Sequence, residues 1–336
     1  MIKTGIIGIG KMGISHLAIL GAHKDVEIAG VCDTSKMMLD AIEKYSPFPC
    51  FTDYRKMLDN SKPDAVIVAV PTKFHAGMVA ELLDRGIHVF VEKPFCLNAD
   101  ESPALISTAK EKKLVNQVGY HNKFIGTFRE VKRIVNSGAI GEIYNFHGQS
   151  YGPVVVKAKQ ESWRTNPEEG GGCLMDYASH IIDLINDILS PVEKVTSSQL
   201  KSIFSKEVDD AVYAMMVLRN NVSGMLSVNW SDDTFRKMTT SITLNGTRGK
   251  IISDANELKI HFKDKETPVG YSTGWNVKYV TDLTDPVDFY LRGEEYSAQI
   301  DYFVQSVMGT KPNLINTFES AALTDKAISM IRKAQS

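Results

Sequence analysis

A histidine and an aspartate follow a run of three glycines at a helical spacing. Asp176 and His180 are four residues apart, and glycines occupy positions 170–172. Residues i and i+4 of a helix lie on one face. A histidine titrates near neutral pH, and a carboxylate one turn away can fix its tautomer or bind substrate. The spacing therefore indicates proton-transfer chemistry, with a surface ion pair as the structural alternative.

A glycine-rich loop near the amino terminus has the pattern of a dinucleotide-binding loop. Gly8, Gly10 and Gly13 form G-x-G-x-x-G between a predicted strand and a predicted helix, and Lys11 and Met12 lie inside the motif. The three glycines permit a tight turn, close approach of a pyrophosphate and close packing of helix on strand. The helix N-terminus then offers N–H groups to the phosphates.

An acidic residue indicates which dinucleotide is bound. Asp33 ends the second predicted strand, twenty residues after the last glycine of the loop. A carboxylate at this place accepts hydrogen bonds from the ribose hydroxyls of NAD and repels the 2′-phosphate of NADP. Lys36 lies close enough in sequence to help a 2′-phosphate. The pattern therefore favours NAD and leaves NADP open.

Further candidates follow the fourth and fifth predicted strands. Pro71 and His75 come after the fourth strand, and Glu92 and Lys93 come directly after the fifth. Open parallel sheets bind ligands at the carboxyl ends of their strands. We therefore predict that these residues line the cofactor crevice, with Lys93 where a nicotinamide would lie. The alternative for Lys93 is a solvated loop lysine.

The elements that must position these residues predict two domains. Over residues 1–121, short β-branched runs alternate with helical patterns, which is typical of a parallel Rossmann sheet with helices on both faces. Over residues 122–336, helical patterns and paired strand signals predict a second, α/β domain with a largely antiparallel sheet. In it we expect one continuous helix over residues 173–189 and an irregular loop over residues 263–293. The closing helices could pack back on the first domain.

The composition excludes several classes of protein. The chain has 336 residues, with 38 Lys and Arg against 40 Asp and Glu, so no basic excess is available for binding nucleic acid. No apolar stretch approaches the roughly 20 residues of a membrane span. The four cysteines lie far apart, which predicts neither disulfides nor a metal site. With no signal-peptide pattern at the start, we expect a cytoplasmic protein.

In order and spacing, these motifs resemble the Gfo/Idh/MocA oxidoreductases, the glucose–fructose oxidoreductase and inositol dehydrogenase family. The resemblance covers nearly the whole chain and runs through residues 8–13, 71–75, 92–94, 118–120 with Phe124, 138–143, 163–164, 170–180 and the closing helices. One departure is Lys123, where members carry arginine. A lysine keeps the charge but loses bidentate geometry, which affects the expected substrate contacts.

The resemblance implies an active site between the domains, in which Lys93, Asp176 and His180 match the catalytic lysine, aspartate and histidine. It implies sugars, sugar derivatives or cyclitols as substrates, oxidised or reduced at a secondary carbinol or ketone. We expect His180 to be the general acid/base, Lys93 to stabilise the alkoxide and Asp176 to orient the substrate, although Lys93 and His180 could exchange roles. Further substrate contacts are expected from Tyr120, Lys123, Trp163 and Arg164.

The sequence also predicts an oligomer and leaves two alternative functions open. The resemblance implies a homodimer or homotetramer joined through the exposed face of the second sheet, and the many apolar positions over residues 212–218 and 222–230 agree with this. One rival is an NAD-dependent glycosidase of the same fold, which returns its hydride. The other is a non-catalytic sensor of sugars or dinucleotides, in which the catalytic lysine and histidine are commonly lost.

Overall fold

A computed structural model describes residues 1–154, 163–288, 290–291 and 293–335. The chain forms two compact units, one of Met1–His121 with Val287–Ala322 and one of Asn122–Pro286 with Leu323–Ser336. The initial segment of the first unit ends at residue 121, and residues 287–322 from later in the chain join it.

The first unit is built on a six-stranded parallel sheet, which confirms the predicted Rossmann architecture. Its strands are β1 (Ile2–Ile7), β2 (Val26–Cys32), β3 (Cys50–Phe51), β4 (Ala65–Val68), β5 (His88–Val91) and β6 (Asn116–Val118), in the order β3-β2-β1-β4-β5-β6. Its first helices are α1 (Lys11–Ala22), α2 (Lys36–Tyr45), α3 (Tyr54–Ser61), α4 (His75–Asp84) and α5 (Ser102–Glu111). The strands are apolar on both faces, so each face carries its own buried cluster.

The second unit is built on an eight-stranded sheet that is antiparallel except for one pair. Its strands are β7 (Ile143–Tyr151), β8 (Val192–Lys201), β9 (Ala211–Leu218), β10 (Ser223–Asn229), β11 (Thr239–Gly246), β12 (Gly249–Asp254), β13 (Glu257–Phe262) and β14 (Gly274–Tyr279). Their order is β14-β13-β12-β11-β7-β10-β9-β8, and β7 pairs with β10 in parallel. The helices α6 (Gly126–Asn136), α7 (Ser179–Ile188) and α8 (Val280–Leu283) accompany this sheet.

Two elements of the second unit differ from the sequence prediction. The segment over residues 263–293, expected to be irregular, contains β14 and α8, and the residues of β14 pair in register with β13. The helix expected over residues 173–189 begins as a π-helical turn, Leu174–Ala178, and continues as α7. On the sheet below it, Gly148 leaves room for Ile181 and Ile185, since a Cβ there would lie 2.8 Å and 2.9 Å from them.

Two further helices, α9 (Glu294–Val307) and α10 (Phe318–Lys333), close the chain. Ile300 and Phe303 of α9 join the apolar cluster on one face of the Rossmann sheet. Phe318, at the start of α10, joins the cluster on the other face and stacks on Phe95 with ring centroids 4.3 Å apart. This burial explains why residues 287–322 belong to the first unit. In the part of the chain that the structure describes, no helix is both long and apolar enough to cross a membrane.

Candidate active site

The three glycines of the first unit's loop have different surroundings. Gly10 faces open space that a ligand can fill, whereas Gly8 and Gly13 lie against backbone carbonyls of the protein itself. Gly8 has φ +92°, and a Cβ there would lie 2.5 Å from the carbonyl oxygen of Ala69. A Cβ on Gly13 would collide with the carbonyl of Gly8, whereas a Cβ on Gly10 would meet no protein atom within 4 Å. The loop thus packs tightly against β4 and presents open backbone at Gly10, as pyrophosphate binding requires.

Asp33 is held beside this loop by two backbone groups. Its Oδ2 accepts a hydrogen bond of 2.5 Å from the N–H of Ile9, and its Oδ1 accepts one of 2.7 Å from the N–H of Ser35. Carboxylate oxygens have further lone pairs for ribose hydroxyls. The open backbone at Gly10 and the fixed carboxylate of Asp33 therefore fit the pyrophosphate and the ribose of NAD. Lys11 and Met12 form the first turn of α1, which follows Gly10 directly.

Glu92, a predicted cofactor contact, is a buried carboxylate with two partners inside the protein. The side chain turns inward, where its Oε1 lies 2.7 Å from Nε2 of His16 on α1. Its Oε2 accepts a hydrogen bond of 3.2 Å from the N–H of Lys93. Burial raises the pKa of Glu92, but His16 and the charge of Lys93 outweigh this and hold the pKa below its ordinary value. The carboxylate therefore supports the turn that carries Lys93.

His75, also predicted to line the cofactor crevice, contacts backbone carbonyls through both of its ring nitrogens. The imidazole is buried, with Nδ1 2.9 Å from the carbonyl oxygen of Pro94 and Nε2 2.9 Å from that of Val70. Burial lowers the pKa of His75 despite these carbonyls. The ring joins the turn after β4, which contains Pro71, to the cis Lys93–Pro94 turn after β5. His75 is therefore a support for both turns.

In the second unit, the structure brings three of the predicted substrate residues together. Arg164 donates a hydrogen bond of 2.9 Å from Nε to Oδ2 of Asp176, and its guanidinium lies 4.6 Å from the ring centroid of Trp163. Asp176 lies in the π-helical turn, and His180 lies in the first turn of α7. Both are 4% exposed. A buried carboxylate with a charged partner can still accept hydrogen bonds from a sugar hydroxyl.

The three glycines before this turn are structural requirements. Gly170 has φ +86° and Gly172 has φ +106°, a region that favours glycine. A Cβ on Gly171 would collide with the carbonyl of Arg164. The run therefore brings the backbone of Arg164 against the start of the helix that carries Asp176.

Asp209 anchors the same helix and was missed from the sequence. Its carbonyl oxygen accepts a hydrogen bond of 2.8 Å from the N–H of Cys173, and its Oδ2 accepts one of 2.6 Å from the N–H of Leu174. These bonds satisfy amide groups that every helix start leaves unpaired. The sequence shows two consecutive aspartates just before β9. The partner of Asp209, the N–H of Leu174, lies 35 residues earlier in the chain, so the sequence does not reveal the contact.

Two of the predicted substrate contacts, Lys123 and Tyr120, lie in the interior of their units. The ammonium group of Lys123 is buried and lies 2.9 Å from Oδ1 of Asp183, which is also buried. Burial raises the pKa of Asp183 to about 6, although Lys123 opposes the shift. Tyr120 belongs to an apolar cluster of the first unit, where its carbonyl accepts a 2.7 Å hydrogen bond from Asn316. Both residues therefore support the interior of their units.

Comparison with known families identifies the chain. A profile described as an oxidoreductase family with an NAD-binding Rossmann fold matches residues 2–120, and a GFO/IDH/MocA C-terminal domain profile matches residues 128–252. The chain belongs to the GFO/IDH/MocA oxidoreductase family. This confirms the resemblance inferred from the motifs. The first unit of this GFO/IDH/MocA enzyme is an NAD-binding domain.

Individual relatives of this oxidoreductase are distant. A D-glucoside 3-dehydrogenase of Escherichia coli (strain K12) is 27% identical over 228 residues, 64% of each chain. A glycosyl hydrolase family 109 protein of Shewanella sp. (strain ANA-3) is 25% identical over 235 residues, 64% of this chain and 50% of the relative. A levoglucosan dehydrogenase solved with NADH and L-sorbose superimposes with a TM-score of 0.87 at 19% identity, covering 99% of this chain and 96% of that one.

Proposed function

We propose that this enzyme is an NAD-dependent dehydrogenase acting on a secondary carbinol or ketone of a sugar, a sugar derivative or a cyclitol. The observation that carries the proposal is the Trp163–Arg164–Asp176 group, whose aspartate lies four residues before His180 on the same helical segment. An indole and guanidinium surface suits the apolar face of a sugar ring, and a buried carboxylate suits its hydroxyls. D-Glucoside 3-dehydrogenase and levoglucosan dehydrogenase support the same substrate class by their names.

Asp33 supports NAD over NADP in this proposal. Its carboxylate is fixed on the loop by the amides of Ile9 and Ser35, so it cannot swing away from a 2′-phosphate without losing both hydrogen bonds. Lys36 is exposed at the start of α2 and offers a weaker compensating charge. NADP is therefore the second choice of cofactor.

Three side chains share the proposed chemistry: one takes the hydroxyl proton, one stabilises the charge on the oxygen, and one holds the substrate. When bound, NAD supplies the nicotinamide that accepts the hydride. His180 removes the hydroxyl proton, and Lys93 donates a hydrogen bond to the oxygen as it becomes an alkoxide. Asp176 accepts a hydrogen bond from a neighbouring substrate hydroxyl and is kept in place by Arg164. In the reverse direction His180 returns the proton to the oxygen.

The glycosyl hydrolase relative supports a second candidate function. A glycosidase of this kind would oxidise its substrate transiently and return the hydride in each turnover. The two functions differ in net NADH, which a dehydrogenase releases and a glycosidase does not. Incubating the protein with NAD and chromogenic glycosides, and recording both absorbance at 340 nm and release of the aglycone, separates them.

We propose that a second copy of the chain covers the outer face of the eight-stranded sheet, giving a homodimer or homotetramer. Neighbouring strands there align one row of residues in register: Val277, Lys259, Ile252, Thr243, His147, Met225 and Met215. Met215, Met225, Ile252 and Val277 of this row are exposed in the single chain. An open apolar sheet face of this kind is typical of an interface between subunits.

A cytoplasmic location is also part of the proposal. All four cysteines are free thiols, and Cys32, Cys96 and Cys173 are buried. Free thiols without disulfides are typical of a reducing compartment. Fractionation of cells expressing the tagged chain would test this location.

A further inference from the structure

Gly172 joins the two residues of the Arg164–Asp176 ion pair through its backbone. Its N–H donates a hydrogen bond of 3.1 Å to the carbonyl oxygen of Arg164, and its carbonyl oxygen accepts one of 3.0 Å from the N–H of Asp176. A Cβ on Gly172 would lie 2.6 Å from Oδ1 of Asp209. The carboxylate of Asp209 therefore lies directly against the residue that links Arg164 to Asp176.

Asp209 also holds the two residues that follow Gly172. Its carbonyl oxygen accepts the N–H of Cys173 at 2.8 Å, and its Oδ2 accepts the N–H of Leu174 at 2.6 Å. The first amides of a helix have no acceptor within the helix itself. Leu174 is fully buried, so without the carboxylate its N–H would lose this acceptor in a place that water reaches poorly.

The segment that Asp209 holds is the π-helical turn Leu174–Ala178. Such turns are rare, occur mostly as single turns inside α-helices, and are frequent at functional sites. Asp176 lies inside this turn, and α7 with His180 follows it. Because a π-turn contains more residues than an α-turn, its relaxation to α geometry would change the direction of Asp176 relative to His180.

The other side of the turn is fixed by contacts that do not involve the Asp209 side chain. The ring of Tyr177 meets the ring of Trp230 edge-on, with centroids 6.3 Å apart, and both residues are buried. The indole N–H of Trp230 donates a 2.9 Å hydrogen bond to Oδ1 of Asp210. Removing the carboxylate of Asp209 should therefore loosen the start of the turn and leave the interior of the unit packed.

We propose that Asp209 is a positioning residue for the reaction, and that its carboxylate fixes the start of the π-helical turn so that Asp176 meets a substrate hydroxyl. This inference rests on the proposed dehydrogenase function and deepens it. A displaced Asp176 costs the substrate a hydrogen bond but leaves the groups that move the proton and the hydride in place. The loss therefore falls mainly on KM rather than on kcat.

Two variants of Asp209 separate the hydrogen bond from the shape of the side chain. Asp209→Asn keeps an oxygen that can accept from Leu174, whereas Asp209→Leu has a similar shape and no acceptor. On a verified substrate, Asp209→Leu should raise KM about tenfold with a smaller change in kcat, which corresponds to one lost hydrogen bond. Asp209→Asn should stay close to wild type, and both variants should bind NADH normally.

A double-variant cycle shows whether Asp209 acts through Asp176. In the Asp176→Ala background the positioned group is absent, so adding Asp209→Leu should lower kcat/KM by less than about twofold. If the two losses were additive, Asp209 would affect the reaction by another route.

Hydrogen–deuterium exchange measures the same contact without turnover. The amides of residues 173–178 should exchange about tenfold faster in Asp209→Leu than in wild type or Asp209→Asn. Asp53→Ala is the matched control, because Asp53 caps α3 in the first unit by accepting from the N–H groups of Arg55 and Lys56. It removes a helix cap elsewhere and should change neither this exchange nor KM. If Asp209→Leu does not fold, Asp209→Ala removes the same oxygens and takes its place.

Three results would overturn the inference: an unchanged KM in the folded variant without the acceptor, additive losses in the double variant, or wild-type exchange of residues 173–178 in Asp209→Leu. A rise in KM for Asp209→Asn as large as for Asp209→Leu would also contradict it, because the acceptor is retained. If no sugar or cyclitol in the panel reduced NAD, the proposed function would be refuted, and the exchange rates would still decide whether Asp209 holds the turn.

Discussion

Arg164 and Asp176 form a hydrogen-bonded ion pair of 2.9 Å that joins a 3-10 helical turn, Trp163–Thr165, to a π-helical turn. The same guanidinium lies over the ring of Trp163, with its carbon 4.6 Å from the ring centroid. The glycine at position 171 makes the pairing possible, because its missing side chain lets the carbonyl of Arg164 approach the start of the helix. The segment that carries Arg164 and the helix that carries Asp176 are therefore fixed to each other.

Replacing the guanidinium should weaken substrate binding more than chemistry. In Arg164→Met, Asp176 loses a charge-assisted hydrogen bond and the stacked surface is lost, so KM should rise about tenfold or more while kcat falls less. Arg164→Lys is the matched control, since it keeps the charge but not the planar fork, and it should fall between wild type and Arg164→Met. Steady-state kinetics on one verified substrate measure the split. A large loss in kcat with unchanged KM would refute this role.

Cofactor discrimination should depend on Asp33. In Asp33→Ala the acceptor for the ribose hydroxyls and the charge that repels a 2′-phosphate both disappear, so NAD should bind about tenfold more weakly and NADP relatively better. Asp33→Asn is the control that keeps the shape and one acceptor oxygen without the charge. Fluorescence titration with NADH and NADPH gives both affinities. Tighter binding of NADPH than of NADH by the unmutated protein would contradict the assignment.

The Lys123–Asp183 pair predicts a pH-dependent loss of stability. Lys123→Met leaves Asp183 buried without its cation, which should lower the free energy of unfolding by about 3–5 kcal/mol at pH 7.5. The folded-state pKa of Asp183 lies above its unfolded value, so protonation favours the folded state, and this contribution is lost as pH rises through about 6. The penalty of the variant should therefore be smaller at pH 5.

Lys123→Arg is the matched control for that experiment. Among the described residues, Oδ2 of Asp183 has no hydrogen-bond partner, and a guanidinium can reach both oxygens of a carboxylate. This variant should unfold at or above the wild-type temperature. Urea unfolding of both variants at pH 5 and pH 7.5 makes the comparison, and an equal loss for Lys123→Met at the two pH values would contradict the account.

Assembly should depend on the centre of the outer sheet face. Met225 lies opposite Met215 and next to His147 in the sheet, so Met225→Glu would place a charge in the middle of the proposed interface. The variant should elute as a monomer in size-exclusion chromatography with light scattering at micromolar concentration. Met37→Glu, on the exposed surface of α2 in the first unit, adds the same charge elsewhere and should remain oligomeric. A monomeric unmutated protein would refute the interface.

Features that are local in sequence could be predicted, and those that join distant segments could not. The glycine loop and Asp33 follow from spacing alone, because the strand, turn and helix are consecutive. The sequence shows that Glu92, His75 and Lys123 are polar residues near a binding edge, but not which way they point. In the structure, Glu92 turns toward His16, His75 toward three backbone carbonyls, and Lys123 toward Asp183.

The second unit shows the same limit. The exposed alternation of Trp275, Val277 and Tyr279 was a strand signal inside the segment expected to be a loop, although Pro, Gly and Asp residues around it obscured the pattern. The π-helical turn at Asp176 depends on contacts of Asp209 and the glycine run, which no helical periodicity reveals. Asp176 and His180 could nevertheless be predicted as candidate site residues, because their types and their spacing of four residues indicate proton-transfer chemistry.

The central claim is tested most directly by single-variant kinetics with cofactor binding as the control. A panel of sugars, glucosides and inositols is first screened for NAD reduction at 340 nm. On the best substrate, Lys93→Met and His180→Asn should each lower kcat by about 10²–10⁴-fold while NADH affinity stays within about twofold. If both variants bound NADH normally and kept near-full activity, the assignment of Lys93 and His180 to the chemistry would be wrong.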